Sequence, residues 1–248
     1  MDVTSATLTA PESGYSAEVI RYGQWGRPLL LFPAEAGSAR DLGANGIIDA
    51  LSSLIEDSRL KVYCVDSADA STWSDRSLPL EERSRRHDLY EQWITGQVVP
   101  WIDADCGSRQ SMMTAGVSLG AFHAVNLALR HADLFPVGIG LSGNYDPSLW
   151  DGWGERGDAS YFHNPTDYVS NLDGGHLDWL RSQLHLVLVV GEGAFEEHPT
   201  RAQSGSRRLA ALLAERGLAH ELDIWGPDAM HDWPAWRRQL AHHAARFC

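Results

Sequence analysis

Cysteine is scarce in this sequence, with three in 248 residues at Cys64, Cys106 and Cys248. An odd number without C-x-x-C spacing gives neither a disulfide framework nor a cysteine zinc site. Cys64 falls inside an apolar run and reads as core. Long hydrophobic runs are missing too, the longest (residues 184–190) being far short of the ~20 residues a membrane-crossing helix needs. Residues 1–10 are polar, with no basic start leading into an apolar segment, so no secretory signal is expected. These absences lead us to expect a cytoplasmic chain folded as one domain over residues 1–248. Positive charge is also short: 20 Lys plus Arg against 33 Asp plus Glu give a formal net charge of −13. A field of that sign repels phosphate backbones and acidic membrane surfaces, so neither nucleic acid nor membrane is an expected partner. Neither H-E-x-x-H nor a dinucleotide fingerprint occurs, so no metal and no organic cofactor is implied.

What is present is an alternation of two patterns. Short runs rich in β-formers recur at residues 4–8, 16–22, 29–32, 61–65, 112–115, 137–141, 184–190 and 220–225. Most are separated by segments of helical periodicity. Residues 40–55 carry Leu42, Ile47, Leu51 and Leu54 on one side, and residues 80–103 form a long helix candidate in which Gly96 and Pro100 are potential breaks. Residues 207–216 end at Gly217, a C-cap signal, and Trp233, Trp236, Leu240, Ala244 and Phe247 form a stripe on a last helix. Strands alternating with helices predict a mostly parallel sheet covered on both faces. The first two runs are joined by Pro11-Glu12-Ser13-Gly14 and predict an antiparallel hairpin ahead of it, up to eight strands in all. Residues 143–179 break the alternation. Rich in aromatics, glycine and aspartate, they are expected to form a loop or lid whose Trp150 and Trp153 shape a substrate pocket.

The strongest local motif is Gly116-Val117-Ser118-Leu119-Gly120, between a predicted strand and a helix-forming segment without Gly or Pro. A strand turning sharply into a helix strains its central residue and crowds its neighbours, which is why glycine flanks it. The turn would hold the Ser118 hydroxyl clear of the sheet and aim the Leu119 backbone N–H at a developing oxyanion.

A serine hydroxyl needs a base. Among eleven histidines, His231 alone sits on a loop between the last predicted strand and the last helix, where side chains converge on the C-terminal ends of parallel strands. The others fall elsewhere: His123 one turn into the serine's helix, His87 on a charged helix, His131 near a helix end, His242 and His243 on the last helix. An acid is required to orient the base. After the run 184–190 stand Glu192, Glu196 and Glu197. Glu192 follows the strand too closely to swing across; Glu196 is favoured, with Glu197 the alternative and Asp146 behind both. The second oxyanion donor is expected in the loop Phe32-Pro33-Ala34-Glu35-Ala36-Gly37. Proline has no N–H, so the backbone of Ala34 or Glu35 must serve. The Glu35 side chain either faces the site, favouring a cationic or hydroxylated substrate, or points to solvent.

With these residues in place the chain resembles the putative-esterase family of α/β-hydrolases, which includes enterobactin and feruloyl esterases, S-formylglutathione hydrolase and the mycolyltransferases. The resemblance rests on Gly116-Val117-Ser118-Leu119-Gly120, on Leu141-Ser142-Gly143-Asn144-Tyr145-Asp146 and on His231-Asp232-Trp233-Pro234-Ala235-Trp236, and runs from about Ser16 to the C-terminus. It implies an α/β-hydrolase fold, Ser118 and His231 as catalytic residues and an acid near Glu196. The chain departs from the pattern in two places: Gly120 is followed by Ala121, not a second glycine, and Pro33-Ala34 stands where many relatives have His-Gly or Asp-Gly. The expected activity is hydrolysis of a small carboxylic ester through an acyl-enzyme. Acyl transfer by the same triad is one alternative, and a non-catalytic interaction protein on a hydrolase scaffold is another.

Overall fold

The apolar runs assemble into one sheet. In the computed structural model, which describes residues 1–248, the strands are β1 (Val3–Thr9), β2 (Ser16–Tyr22), β3 (Arg27–Phe32), β4 (Leu60–Val65), β5 (Met113–Val117), β6 (Val137–Leu141), β7 (His185–Val190) and β8 (Ala219–Ile224). Their order is β1-β2-β4-β3-β5-β6-β7-β8. β1 and β2 form the antiparallel hairpin, β2 also pairs antiparallel with β4, and every pairing from β4 to β8 is parallel. The central strands are buried on both faces, so they read as continuous apolar runs, whereas β1 at the edge is polar and exposed.

Helices cover both faces. One face carries α1 (Ala39–Ala44), α2 (Ile47–Ala50) and α3 (Ser52–Glu56), together with the last helix, α11 (Trp233–Ala244). Leu42, Ile48, Trp236 and Leu240 there pack with Leu29, Val62, Ala115 and Val187 of the sheet. The other face is covered by α4 (Leu80–Trp93), α5 (Val99–Cys106), α6 (Leu119–Arg130), α7 (Asp158–Phe162), α8 (Pro165–Tyr168), α9 (Gly174–Gln183) and α10 (Ala202–Glu215). Its core includes Tyr90, Trp93, Phe122, Leu180 and Leu209.

Three predicted segments differ in detail. Residues 40–55 are three short helices, because Gly46 adopts φ 76° and redirects the chain between the first two. Residues 80–103 continue through Pro100 by way of a π-turn at Ile94–Val98, whose wider hydrogen bonding relieves the clash a proline makes with the preceding turn. Residues 143–179 are largely helical, containing α7, α8 and most of α9.

Parallel strands place their C-terminal ends along one edge. There the chain leaves β3 for Pro33, β5 for Ser118, β6 for Ser142, β7 for Gly191 and β8 for the loop that carries His231.

Candidate active site

Ser118 is the hinge between β5 and α6, with φ 55° and ψ −120°, a region that side-chain-bearing residues avoid. Its neighbours have no choice of residue. A Cβ on Gly116 would lie 2.0 Å from the Gly120 carbonyl oxygen, and one on Gly120 would lie 2.2 Å from that of Pro33. The Ser118 N–H donates to the Leu141 carbonyl at 2.9 Å, tying the turn to the end of β6.

Opposite this turn, Ser118 Oγ and His231 Nε2 are 2.9 Å apart, with the hydroxyl placed to donate. His231 Nδ1 faces Glu196 Oε2 at 3.3 Å, a long contact in which the ring N–H donates to the carboxylate. Glu196 is 1% exposed. Its other oxygen accepts from Ser142 Oγ at 2.6 Å and from the Gly191 N–H at 3.1 Å. Ser142 Oγ in turn accepts from Trp236 Nε1 at 2.9 Å. The carboxylate is therefore held in place by hydrogen bonds on both of its oxygens. Backbone pairing fastens the loops that carry acid and base: Gly193 N–H donates to Ala229 O at 2.9 Å and His231 N–H to Ala194 O at 3.0 Å. A Cβ on Gly191 would sit 1.9 Å from the Ala229 oxygen, so glycine lets the strands' ends meet. Trp236 also packs edge-on against the His231 ring, at 5.0 Å and 81°.

The other carboxylates are engaged elsewhere. Glu197 Oε2 accepts the Ser204 N–H in the first turn of α10 at 3.0 Å. Glu192 is exposed, 3.9 Å from Arg207. Asp146 accepts from Arg208 at 2.7 Å and from Ser148 and Asn164. Burial raises its pKa, but those hydrogen bonds and the Arg208 charge outweigh it and leave the pKa lowered.

On the far side of Ser118, Leu119 is the first residue of α6, so its N–H has no preceding helical turn to bond. The N–H groups of Ala34 and Glu35 make no hydrogen bond within the chain. The loop that carries them is anchored by Asp69, which is fully buried. Asp69 Oδ2 accepts the Ala36 N–H at 3.1 Å, and Oδ1 meets His123 Nε2 at 2.8 Å. His123 thus links the serine's helix to the loop after β3, through a partner 54 residues away. The Glu35 side chain lines the cleft and accepts from Ser74 Oγ at 2.6 Å.

The cleft above Ser118 and His231 has a volume of about 370 Å³. Trp73, Leu149 and Trp150 supply its apolar wall; Arg76, Asn144 and Arg201 supply polar groups. Arg76 is paired with Asp151 at 2.7 Å. Trp150 is fixed edge-on against Phe122 at 5.0 Å and Trp73 at 5.5 Å. Trp153 lies outside this lining, half exposed, with its Nε1–H donating to the Arg76 carbonyl. A wider groove of about 740 Å³, bordered by Glu81, Arg85 and Arg156, shares no residue with the cleft. Sequence reasoning missed Ser142 as a partner of the acid, Trp236 as a hydrogen-bond donor, and the Asp69–His123 pair. The two residues of the first relay do lie inside the Leu141–Asp146 and His231–Trp236 motifs, which was their only signal.

A serine at a strained strand-to-helix turn, a histidine within hydrogen-bond reach and a carboxylate behind it, on the carboxyl edge of this sheet, are features of the serine hydrolases with the α/β-hydrolase fold. Residues 44–247 match the Esterase family, described as "Putative esterase", and the chain belongs to it: it is a carboxylic ester hydrolase. Solved structures agree with the fold across nearly the whole chain at low identity. Mycobacterium tuberculosis MPT51 is 15% identical with a TM-score of 0.73, covering 99% of this chain and 97% of its own. A ferulic acid esterase is 15% identical with a TM-score of 0.71, covering 97% and 95%. S-formylglutathione hydrolase from Staphylococcus aureus is 16% identical with a TM-score of 0.68, covering 99% and 95%. A search of curated protein sequences returned no significant match. No helix is long and apolar enough to cross a membrane.

Proposed function

We propose that Ser118, His231 and Glu196 are the catalytic triad of this esterase, acting on a small carboxylic ester through an acyl-enzyme. The observation that carries the reading is the 2.9 Å approach of Ser118 Oγ to His231 Nε2, with Glu196 behind the ring. His231 takes the hydroxyl proton as Ser118 Oγ attacks the ester carbonyl, and Glu196 stabilises the imidazolium. The oxyanion forms against the N–H of Leu119 and that of Ala34 or Glu35, groups with no competing partner in the chain. His231 then protonates the leaving alcohol or thiol. Water, deprotonated by the same ring, hydrolyses the acyl-enzyme.

The cleft volume suits a compact substrate. Trp150 and Leu149 offer an apolar wall for one half of the ester, and Arg76, Asn144 and Arg201 offer polar contacts for the other. Residues 143–179 thus shape the substrate site through their first turn. Aromatic esters and short thioesters, the substrate types named for the ferulic acid esterase and the S-formylglutathione hydrolase, are the first to assay.

The test joins labelling to turnover. A fluorophosphonate should modify the peptide that contains Ser118, as read by mass spectrometry, and Ser118→Ala should lose both label and activity on an ester panel. Folded native protein that takes up no label would remove Ser118 from this role. Product analysis with added alcohols separates hydrolysis from acyl transfer.

A further inference from the structure

We propose that His87, Glu91 and His163 form a binding site for one divalent transition-metal ion of the zinc type, buried between α4 and the 143–179 segment and apart from the Ser118 cleft. His87 and Glu91 lie four residues apart on α4 and so share one helix face. His163, directly after α7, closes on them. One ligand atom from each lies within 4.8 Å of the others, and all three residues are buried.

The hydrogen bonding around His163 sets its tautomer. Nε2 is 2.7 Å from Asp88 Oδ1 and must donate to it, while Nδ1 receives a long contact from the Asn126 amide N–H at 3.3 Å. Nδ1 is therefore an acceptor, whose one lone pair holds only that long Asn126 contact. It faces Glu91 Oε2 at 3.7 Å, too far for a hydrogen bond. Two acceptors turned toward each other repel, but metal bonds of about 2 Å to each, meeting at an angle, span that gap. The Asp88 contact is the carboxylate–histidine arrangement that orients and strengthens a metal-binding imidazole. Glu91 Oε1 is held by His131 and Arg130, each at 2.8 Å; Oε2 has one contact, to Arg130 at 3.0 Å, and keeps a free lone pair.

His87 supplies an independent indication. Its Nδ1 is buried without any hydrogen-bond partner, an expensive arrangement for an imidazole nitrogen. Two imidazoles and one carboxylate are a nitrogen-rich set that favours zinc-like ions over magnesium or calcium. Such a set leaves one tetrahedral position for a further ligand. The ion would pin the segment carrying Trp150 to α4, so its role would be structural.

The experiment uses full-length protein stripped with chelator and then given Zn²⁺ alone or Co²⁺ alone. Binding predicts a one-to-one Co²⁺ visible absorption and a melting temperature that rises by about 5–10 °C at Zn²⁺ a hundred times its Kd. Both signals should vanish in Glu91→Gln and in His163→Asn, and persist in Ser118→Ala. Co²⁺ absorption surviving in both variants places the metal on other residues and overturns the proposal. A folded, stripped native protein with neither absorption nor thermal shift overturns it as well, whatever the fate of the variants.

Discussion

Glu196 and Glu197 are neighbours in the chain with opposite surroundings. Glu196 turns inward to His231 and Ser142, and Glu197 outward to the first turn of α10. Losing a triad acid costs on the order of 10⁴-fold in kcat. With Glu196 as the proposed acid, Glu196→Gln is expected to fall by about that factor with little change in KM, since in that role its charge acts on the imidazolium formed during attack. Glu197→Gln should stay within a few-fold of native; steady-state kinetics on one ester compares the two. Trp236 makes a finer test. Its indole N–H is a direct hydrogen bond to Ser142, the hydroxyl that orients Glu196. Trp236→Phe keeps the ring packing but removes that donor, a loss of about 1–1.5 kcal/mol, or roughly tenfold in kcat. An unchanged kcat in a variant that melts like the native protein would show that the relay does not orient the acid.

At the scale of elements, α6 lies directly on the loop after β3 because Gly120 has no side chain there. Gly120→Ala would drive a Cβ into the Pro33 carbonyl and force the helix off the loop. The expected loss is at least ~3 kcal/mol, read by circular dichroism as a fall of about 6–12 °C in melting temperature. Elements whose logic is local were legible in advance. The strands follow from β-rich runs, the turn at Ser118 from its glycines, and His231 from its place between the last strand and the last helix. Glu196 was separated from Glu197 by reach alone, because adjacent loop carboxylates carry no periodicity to say which one turns inward. What stayed illegible depends on distant partners. Ser142 meets Trp236 across 94 residues and Asp69 meets His123 across 54. The long helix expected over residues 80–103 does run through Pro100, but the π-turn that carries it past the proline has no residue signature of its own.

Across the whole molecule, buried charges outside the site are held by partners, among them Lys61 on β4, which is 2% exposed. Asp105 of α5 holds it at 2.7 Å and also accepts from Tyr63 Oη at 2.7 Å and from Arg21 at 3.3 Å, fastening the antiparallel end of the sheet to the helical layer. Partial burial raises the Asp105 pKa, but the hydrogen bonds from Lys61 and Tyr63 prevail and leave it lowered. A carboxylate with a depressed folded pKa contributes stability that is complete above its unfolded value, about 3.9, and lost as pH falls through the folded one. Asp105→Asn should thus melt well below the native protein at pH 7, by the ~3–5 kcal/mol of a broken buried pair. The gap should narrow below about pH 4, as thermal melts across pH would show. The backbone at Ser118 reaches equally far. A serine held at φ 55° and ψ −120° occupies a conformation that glycine adopts freely and other residues adopt at a cost of about 1–3 kcal/mol. Reactivity and durability are then in competition at one position. Ser118→Gly, with no nucleophile left, is expected to melt about 2–4 °C higher than the native chain once glycine's greater unfolded-state freedom is deducted. On the proposed triad, removing the nucleophile in this way would leave the chain more stable than its active form.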